Sequence, residues 1–148
     1  MSVSIRQLVA ADKAEWQPLW HGYLEFYQHP LSEAQTELTW SRLVDESFGM
    51  HGLVAELNGQ LVGLAHYSFT HTSWEVEPYL YLEDLFVSPS VRGGGVGRAL
   101  IAELVKIAKE AGSTRVWWET HRDNAVAQGL YEKVAMRSEF VKYQIQIG

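Results

Sequence analysis

One stretch of the sequence, YLYLEDLFVSPSVRGGGVGRALIAELVKIAKEA (residues 79–111), decides the fold around it. It predicts an apolar β-strand, a short turn, a glycine-rich loop and a long amphipathic helix. Backbone N–H groups at a helix start have no partner inside the helix, and they lie at the positive end of its dipole. The loop therefore predicts a phosphate site, to which the flanking Arg92 and Arg98 add fixed positive charge.

Composition and charge limit the classes of protein to consider. The chain has 148 residues, of which 47% are apolar and 20% charged, as is typical of one soluble globular domain spanning residues 1–148. It has no cysteine, no signal-peptide pattern and no apolar run near the roughly 20 residues of a membrane span. We therefore expect a cytoplasmic protein without a membrane partner. Its net charge of −6 argues against a nucleic-acid partner and slightly favours a cationic substrate.

The segments before this stretch predict a strand, two helices and a hairpin. The chain first alternates apolar and polar side chains, as a half-buried strand does. Capping-box patterns at residues 12–15 and 32–35 predict two helix starts. Pro18 either kinks the first helix or marks its first turn. Asn58-Gly59 lies between two apolar runs and predicts a tight hairpin.

The segments after it predict a second strand, a helix and closing β-structure. Residues 114–120 form a short apolar run, placed to make a strand parallel to the first across the helix. Asp123 or Asn124 caps a helix that ends near Lys133. Residues 136–147 predict one long or two short closing strands. Together these elements predict one mixed α/β domain.

The ligand of the glycine-rich loop has to be identified among several alternatives. A nucleoside-triphosphate P-loop requires Gly-Lys-Ser/Thr, but Gly97 is followed by Arg98-Ala99, so this alternative fails. A dinucleotide loop requires G-x-G-x-x-G, and both phasings miss the last glycine. Glu119, at a suitable distance along the chain for a ribose contact, keeps this alternative open. A turn needed only for packing is disfavoured, because four glycines in five positions exceed what it requires.

A further alternative comes from a resemblance. The motif R-x-x-G-x-G at residues 92–97 resembles the Q/R-x-x-G-x-G/A pyrophosphate loop of the GCN5-related N-acetyltransferase (GNAT) superfamily. YLEDLFV at residues 81–87 resembles the corresponding strand of polyamine N-acetyltransferases. NAVAQGLYEK at residues 124–133 resembles the family's N-x-x-A-x-x-L-Y-x-K helix, and WWET at residues 117–120 resembles the yeast histone/polyamine subgroup. The resemblance is specific from residue 79 to about residue 136.

The resemblance implies the GNAT fold, a mixed α/β domain. Its central, mostly antiparallel twisted sheet has about six to seven strands with a splayed parallel pair, flanked by four helices. It implies acetyl-CoA as co-substrate and a small-molecule amine, with a polyamine or diamine favoured, as acceptor. An amino acid, a protein lysine or a non-catalytic acyl-CoA sensor remain as alternatives. Such domains commonly form homodimers, to which the apolar segment 139–147 can contribute.

The resemblance also assigns residues to the donor. Backbone N–H groups of the loop are expected to bind the pyrophosphate, and backbone groups of the preceding strand the pantetheine arm. Core packing is the alternative role for that strand, and helix capping the alternative for Asn124. The predicted cofactor contacts are Leu85, Phe86, Val87, Arg92, Gly93, Gly94, Gly95, Val96, Gly97, Arg98, Asn124 and Tyr131.

Two residues are predicted to move protons. Tyr131 follows Asn124 by two helical turns, so both project from one face. A phenol with a pKa near 10 is protonated at neutral pH, which suits the role of general acid to the thiolate that the resemblance implies for Tyr131. Glu83, in an otherwise apolar strand, is the predicted base, acting through water on an amine whose pKa is near 10.4. A core tyrosine and a structural ion pair are the alternatives.

The remaining predictions concern the acceptor. Tyr27, Trp74, Glu83 and Asp84 are the predicted substrate contacts, with Asp84 anchoring a second cationic or polar group. Because adjacent strand residues face opposite ways, the two carboxylates are expected on opposite faces of the sheet. The histidines lack a third ligand at metal spacing, so we predict no metal.

Overall fold

A computed structural model describes residues 2–148. Over this range the chain forms five strands and four α-helices. The strands are β1 (Ser4–Gln7), β2 (His51–Leu57), β3 (Gln60–Thr70), β4 (Tyr79–Val87) and β5 (Val116–Trp117). The helices are α1 (Lys13–Phe26), α2 (Glu33–Val44), α3 (Val96–Glu110) and α4 (Ala125–Val134). The predicted mixed α/β fold with four helices is confirmed, although the sheet has fewer strands than expected.

The strands form one sheet in the order β1-β2-β3-β4-β5. All neighbours are antiparallel except β4 and β5, which are parallel. The predicted hairpin joins β2 to β3, and both turn residues have positive φ, 53° at Asn58 and 77° at Gly59. A type I′ turn requires this conformation at both positions, so the Asn-Gly pair sets the hairpin as expected.

The sheet separates two hydrophobic cores. Helix α3 packs on one face, where Leu80, Leu100 and Leu104 are fully buried. Helices α1 and α2 cover the other face, where Trp16, Val54 and Leu64 are fully buried. The apolar positions of α3 recur at helical spacing and therefore reach the same face of the sheet. This arrangement leaves the carboxyl ends of β4 and β5 between the two layers.

The helix starts follow the predicted caps only in part. Ser32 caps α2, since its Oγ accepts from the N–H of Gln35 at 3.1 Å. The carboxylate of Asp12 is not used as the predicted cap of α1; it pairs instead with Arg6 at 2.8 Å. Helix α1 continues through Pro18. None of the helices within residues 2–148 is long and apolar enough to cross a membrane.

The predicted closing strands do not form. Residues 135–148 have neither helix nor strand, and β5 has only two residues of the predicted strand 114–120. The apolar side chains of this C-terminal segment stay in solvent; Tyr143 is 91% and Ile145 89% exposed. Apolar and polar side chains alternate along this segment, but the prediction of a strand is wrong, because a strand also requires backbone pairing with a neighbouring strand.

Candidate active site

A β-bulge interrupts β4 at the two predicted carboxylates. In the pairing of β4 with β3, Asp84 lies opposite His66 and Leu82 lies opposite Tyr67. Glu83 is therefore the extra residue of the bulge. A bulge changes the direction in which the following side chains project, and here it does so at the position where the acidic pair occurs.

This bulge corrects the expectation that the two carboxylates face opposite ways. Leu82 before the bulge and Leu85 after it both pack against the α3 core, whereas an unbroken strand would separate them. Glu83 and Asp84 consequently share the face toward α1. Burial and then the charge of Asp84 raise the pKa of Tyr23 on α1, with a smaller contribution from Glu83. The bulge therefore brings two carboxylates to one side of the sheet.

The predicted splayed pair is present, because β4 and β5 diverge soon after they meet. Their pairing joins Leu80 to Val116 and Tyr81 to Trp117 and then stops. The following part of β4, which carries Leu85, Phe86 and Val87, pairs with β3 on one side, and on the β5 side no strand of residues 2–148 pairs with it. An extended ligand with amide groups can pair with such an open strand edge.

The loop before α3 presents free backbone donors. Gly93 and Gly95 have φ of 86° and 84°, in the left-handed region that glycine adopts without strain. The N–H of Gly94 donates to the carbonyl of Val91 at 3.3 Å. Five N–H groups find no acceptor among the described residues, namely those of Gly93, Gly95, Val96, Gly97 and Arg98. At the start of a 15-residue helix, these donors can bind a pyrophosphate.

The two arginines beside the loop differ in their surroundings. Arg92 donates from Nε to the carbonyl of Val87 at 3.2 Å. Its guanidinium lies 5.5 Å from the ring of Phe26 and 5.6 Å from that of Phe86. These contacts hold the guanidinium of Arg92 beside α1. It therefore does not lie with the free N–H groups, as the predicted phosphate contact would require. Arg98 is exposed on the first turn of α3.

Helix α4 lies close to the start of α3. A Cβ on Gly97 would be 3.3 Å from Cδ2 of Leu130, so a larger residue there would push α4 away. Asn124 caps α4, since its Oδ1 accepts from the N–H of Ala127 at 3.3 Å. Its amide nitrogen donates to Oγ1 of Thr120 at 3.4 Å. The capping role of Asn124 is thus a structural fact, and its contact with the donor stays a prediction.

Tyr131 on α4 packs against the α3 side of the sheet and against Trp118, the residue after β5. Its ring meets that of Trp118 edge to face at a centroid distance of 5.3 Å. Burial, with a smaller contribution from Tyr27, raises the pKa of Tyr131 to about 12. The phenol therefore keeps its proton well above neutral pH, as a general acid requires.

An aromatic cleft lies between α1 and β4, near the acidic pair. The rings of Trp20 and Tyr23 stack at 5.1 Å, and those of Tyr23 and Tyr27 lie 4.9 Å apart. The cleft has a volume of about 360 Å³, and its lining residues are Trp20, Tyr23, Leu24, Tyr27, His29, Leu31 and Asp84. No lysine or arginine of the described chain lines it. The cleft is therefore aromatic and anionic, a combination that suits a cation.

The other predicted acceptor residues lie elsewhere. Trp74 is 70% exposed, and its ring contacts Phe140 at 6.5 Å instead of lining the cleft. Glu83 is exposed beside Tyr81, whose pKa is raised by burial and then by the nearby carboxylate of Glu83. The structure thus brings Tyr27 and Asp84 together and leaves Trp74 apart.

One buried polar residue of the site was not predicted from the sequence. His66 is 1% exposed, and its Nδ1 lies 3.0 Å from Oδ2 of Asp84. From the sequence, His66 was considered only as a possible metal ligand, and it was rejected because no third ligand lies at metal spacing. Its pairing with Asp84 depends on the register of β3 against β4, and no local sequence pattern predicts that register. Among residues 2–148, no three His, Asp or Glu side chains form a group that could hold a metal ion.

Comparison with known proteins places this geometry in a family. The model of the acetyltransferase (GNAT) family matches residues 14–136. A D-amino-acid N-acetyltransferase of Saccharomyces cerevisiae, HPA3, is 33% identical over 144 residues, which cover 96% of this chain and 89% of the relative. A thialysine N-ε-acetyltransferase of Caenorhabditis elegans is 30% identical over 89 residues, covering 60% of this chain and 55% of that protein.

The fold has solved counterparts. The structure of AAC(6')-Iy in complex with a bisubstrate analogue of CoA has a TM-score of 0.85 at 21% identity, and the match covers all of both chains. At this identity the likeness concerns the fold alone. The family match covers most of the chain, including the glycine-rich loop, the splayed strands and α4. The chain therefore belongs to the GNAT family of acetyltransferases, enzymes that use acetyl-CoA as the acyl donor.

Proposed function

We propose that the protein transfers an acetyl group from acetyl-CoA to a primary amine of a small cationic acceptor, with a polyamine or diamine favoured. The observation that supports this choice is the aromatic cleft with Asp84 at its wall and no lysine or arginine of the described chain around it. A protonated amine gains from a carboxylate and from aromatic faces, whereas a carboxylate ligand would find no cationic side chain there.

The donor would lie between β4 and α4. The free N–H groups before α3 would bind its pyrophosphate. The open edge of β4 would pair with the pantetheine arm as though with an added strand, using backbone groups of Leu85 and Val87. This placement would bring the thioester beside Tyr131, because α4 packs against the start of α3 through Leu130.

The transfer itself would proceed by direct attack in a ternary complex. The amine nitrogen forms a bond to the thioester carbonyl carbon, and the bond between that carbon and sulfur breaks. The amine loses one proton through water to Glu83, which is exposed at the bulge. The departing thiolate takes a proton from Tyr131, whose pKa of about 12 keeps it protonated until this step. The ammonium thus loses two protons, the first through water to Glu83 before the attack and the second from the nitrogen after it. The second replaces the proton that Tyr131 gives to the thiolate, so each turnover releases one proton to solvent.

The names of the relatives support acceptors other than a polyamine. The yeast relative is named for D-amino acids and the nematode relative for thialysine. An amino acid would bring a carboxylate as well as an amine, and it would therefore need a cationic partner outside the cleft. A protein lysine would present one ammonium group on a long side chain. Measuring which of these ammonium compounds are acetylated therefore identifies the acceptor class.

A thiol-release assay with acetyl-CoA tests the proposal. We expect turnover with diamines and polyamines, weaker turnover with a lysine peptide, and little with D- or L-amino acids. The same rate on all of them would contradict the acceptor class. Binding of CoA without turnover on any amine would identify an acyl-CoA sensor and contradict the proposed activity.

We also propose that two copies associate through the C-terminal segment. Its apolar residues Val141, Tyr143, Ile145 and Ile147 alternate with polar ones and are at least 75% exposed. In one copy Arg137 bonds to Gln128 and Glu132 on α4, and further along the segment Lys142 pairs with Glu119 at 3.1 Å and Phe140 contacts Trp74. Light scattering after gel filtration is expected to give the mass of a dimer. Deletion of residues 139–148 should give a monomer, and a monomeric full chain would contradict the proposal.

A further inference from the structure

A buried chain of hydrogen bonds ends at the carboxylate of Asp84. Trp16 is 0% and His66 1% exposed, and Nε1 of Trp16 donates to Nε2 of His66 at 3.1 Å. An indole nitrogen can only donate, so Nε2 of His66 must be the acceptor. The imidazole proton then resides on Nδ1, which donates to Oδ2 of Asp84 at 3.0 Å. Trp16 therefore fixes both the tautomer of His66 and the direction of its bond to Asp84.

The position of His66 is fixed further by its surroundings. It lies opposite Asp84 in the pairing of β3 with β4, directly at the bulge. Its ring lies 6.0 Å from that of Trp16 and 5.2 Å from that of Trp20. A side chain packed in this way on a strand can hold a neighbouring group in one orientation. The bond to His66 engages Oδ2 of Asp84. The hydroxyl of Tyr23 also interacts with this carboxylate, so a ligand in the cleft would share the carboxylate with Tyr23.

The carboxylate of Asp84 lines the aromatic cleft. Its side chain is 13% exposed, whereas that of His66 is 2% exposed. The rings of Trp20, Tyr23 and Tyr27 line the same space. A carboxylate with one oxygen held by a buried donor is a preorganised acceptor for an ammonium group, because little orientational freedom remains to be lost on binding.

We propose that this cleft binds a second ammonium group of the acceptor through Asp84, and that His66 is the positioning residue that holds the carboxylate for it. The acceptor class is then one with two amines, of which one reacts and the other is anchored. This inference rests on the proposed function for the reacting amine. The anchoring step is a binding event and can be measured without turnover.

A purely structural histidine makes a different prediction. If His66 only stabilised the core, its replacement would weaken every ligand to the same degree and lower the melting temperature. A positioning residue affects the ligand that Asp84 contacts and leaves the others alone. The comparison of a diamine with a monoamine of equal length therefore separates the two roles.

The test uses calorimetric titration of 1,4-diaminobutane and of butylamine into the full chain saturated with CoA. We expect Asp84→Asn and His66→Ala to weaken the diamine about tenfold or more, as loss of a hydrogen bond to a charged group does, with butylamine unchanged. His66→Asn should restore much of the affinity, because its amide can donate near the position of Nδ1. His51→Asn is the matched control, since His51 packs on Tyr67 in the same sheet and lies outside the cleft.

Equal loss for both amines in His66→Ala, or no loss in Asp84→Asn, would overturn the proposal. A readout independent of mutation is the ¹⁵N spectrum of the imidazole in the unmodified protein, which should show the proton on Nδ1. A proton on Nε2 would also overturn it. Failure of the proposed function gives a different result. If the protein does not transfer acetyl groups, the thiol-release assay shows no transfer to any amine, while the diamine still binds and its affinity still depends on His66.

Discussion

The donor side and the acceptor side of this enzyme are built in different ways. The proposed donor side consists of backbone groups in one continuous stretch, the loop between β4 and α3, and most of its residues are exposed. The proposed acceptor side consists of side chains from the region of α1, from β3 and from β4, which are far apart in the sequence and include the buried Trp20 and His66. The first side can be recognised from a motif. The second depends on packing, and so it can diverge in specificity while the donor stays the same.

The largest effect is expected where the two sides meet, at Tyr131. Tyr131→Phe removes the acid and should lower kcat by roughly 10²-fold or more, while the KM for acetyl-CoA changes little. Steady-state kinetics with saturating acetyl-CoA and diamine measure this. Tyr143→Phe is the control, because Tyr143 is 91% exposed in the C-terminal segment.

The pH profile gives a second measure of the same residue. Because the pKa of Tyr131 is about 12, its deprotonation should not reduce kcat below about pH 10. An alkaline decline near pH 9 that disappears in Tyr131→Phe would contradict the raised pKa. Unchanged kcat in that variant would remove Tyr131 from the mechanism.

The next effect tests Glu83 on the acceptor side. Glu83→Gln should lower kcat/KM for the diamine by about 10²-fold at neutral pH, as removal of a general base does, and abolish the acidic limb of its pH profile. Glu46→Gln, an exposed residue beyond α2, serves as control. If the pH profile of kcat/KM keeps its shape in Glu83→Gln, another group or a water chain is the base.

A smaller effect isolates the donor side. Gly95→Val forces a β-branched residue to φ of 84°, which costs about 1–3 kcal/mol or distorts the loop, and it should raise the KM for acetyl-CoA about tenfold. Gly59→Val imposes the same strain in the hairpin, where a Cβ likewise meets nothing within 4 Å. Both variants should lose similar stability in urea, and only Gly95→Val should change the KM for acetyl-CoA. Equal KM values would show that the loop does not bind the donor.

The smallest effect concerns the support of α1, which carries the aromatic cleft. The guanidinium of Arg6, which forms two hydrogen bonds to Asp12, lowers the pKa of that carboxyl. A lowered folded-state pKa adds stability above the unfolded pKa near 4, and this stability is lost as the pH falls below it. Asp12→Asn should cost on the order of 1 kcal/mol at pH 7, because Arg6 is more than a third exposed, and less at pH 2.

Urea unfolding at both pH values measures this difference. Acetyl-CoA affinity should stay constant, since the pair lies far along the chain from the loop. Asp45→Asn is the control, because Asp45 binds only its neighbour Ser47 and is exposed. A cost at pH 2 equal to that at pH 7 would show that the charge of Asp12 is not what stabilises α1.

The sequence predicted the features that depend on a few neighbouring residues. Asn58-Gly59 determines the hairpin because few other residue pairs accept positive φ twice. Ser32 caps α2 because its hydroxyl reaches an N–H three residues on. The glycines before α3 allow the left-handed turns that leave the N–H groups free. Each of these is a local geometric requirement that the residue itself satisfies.

Other features could not be predicted because they depend on alignment between distant segments. The bulge at Glu83 follows from the register of β3 and β4. A shift of the pairing by one residue moves every following side chain to the opposite face of the sheet. The partner of Asp12 is Arg6 on β1, although the local pattern predicts a cap. The alternation in residues 136–147 predicts a strand, but pairing also requires a free neighbour.

By itself the sequence determined the donor loop, the hairpin, the mixed α/β class and the resemblance that identified the chemistry, because these are encoded in short runs. Only the tertiary structure decided that Glu83 and Asp84 share one face and that Trp16 and His66 hold Asp84. It also decided that Trp20 and Tyr23 of α1, with Tyr27 directly after it, line one cleft with Asp84. The physical reason is that hydrogen bonds between buried side chains depend on distances set by packing. The proposed donor loop is thus encoded locally, and the proposed acceptor site depends on the fold.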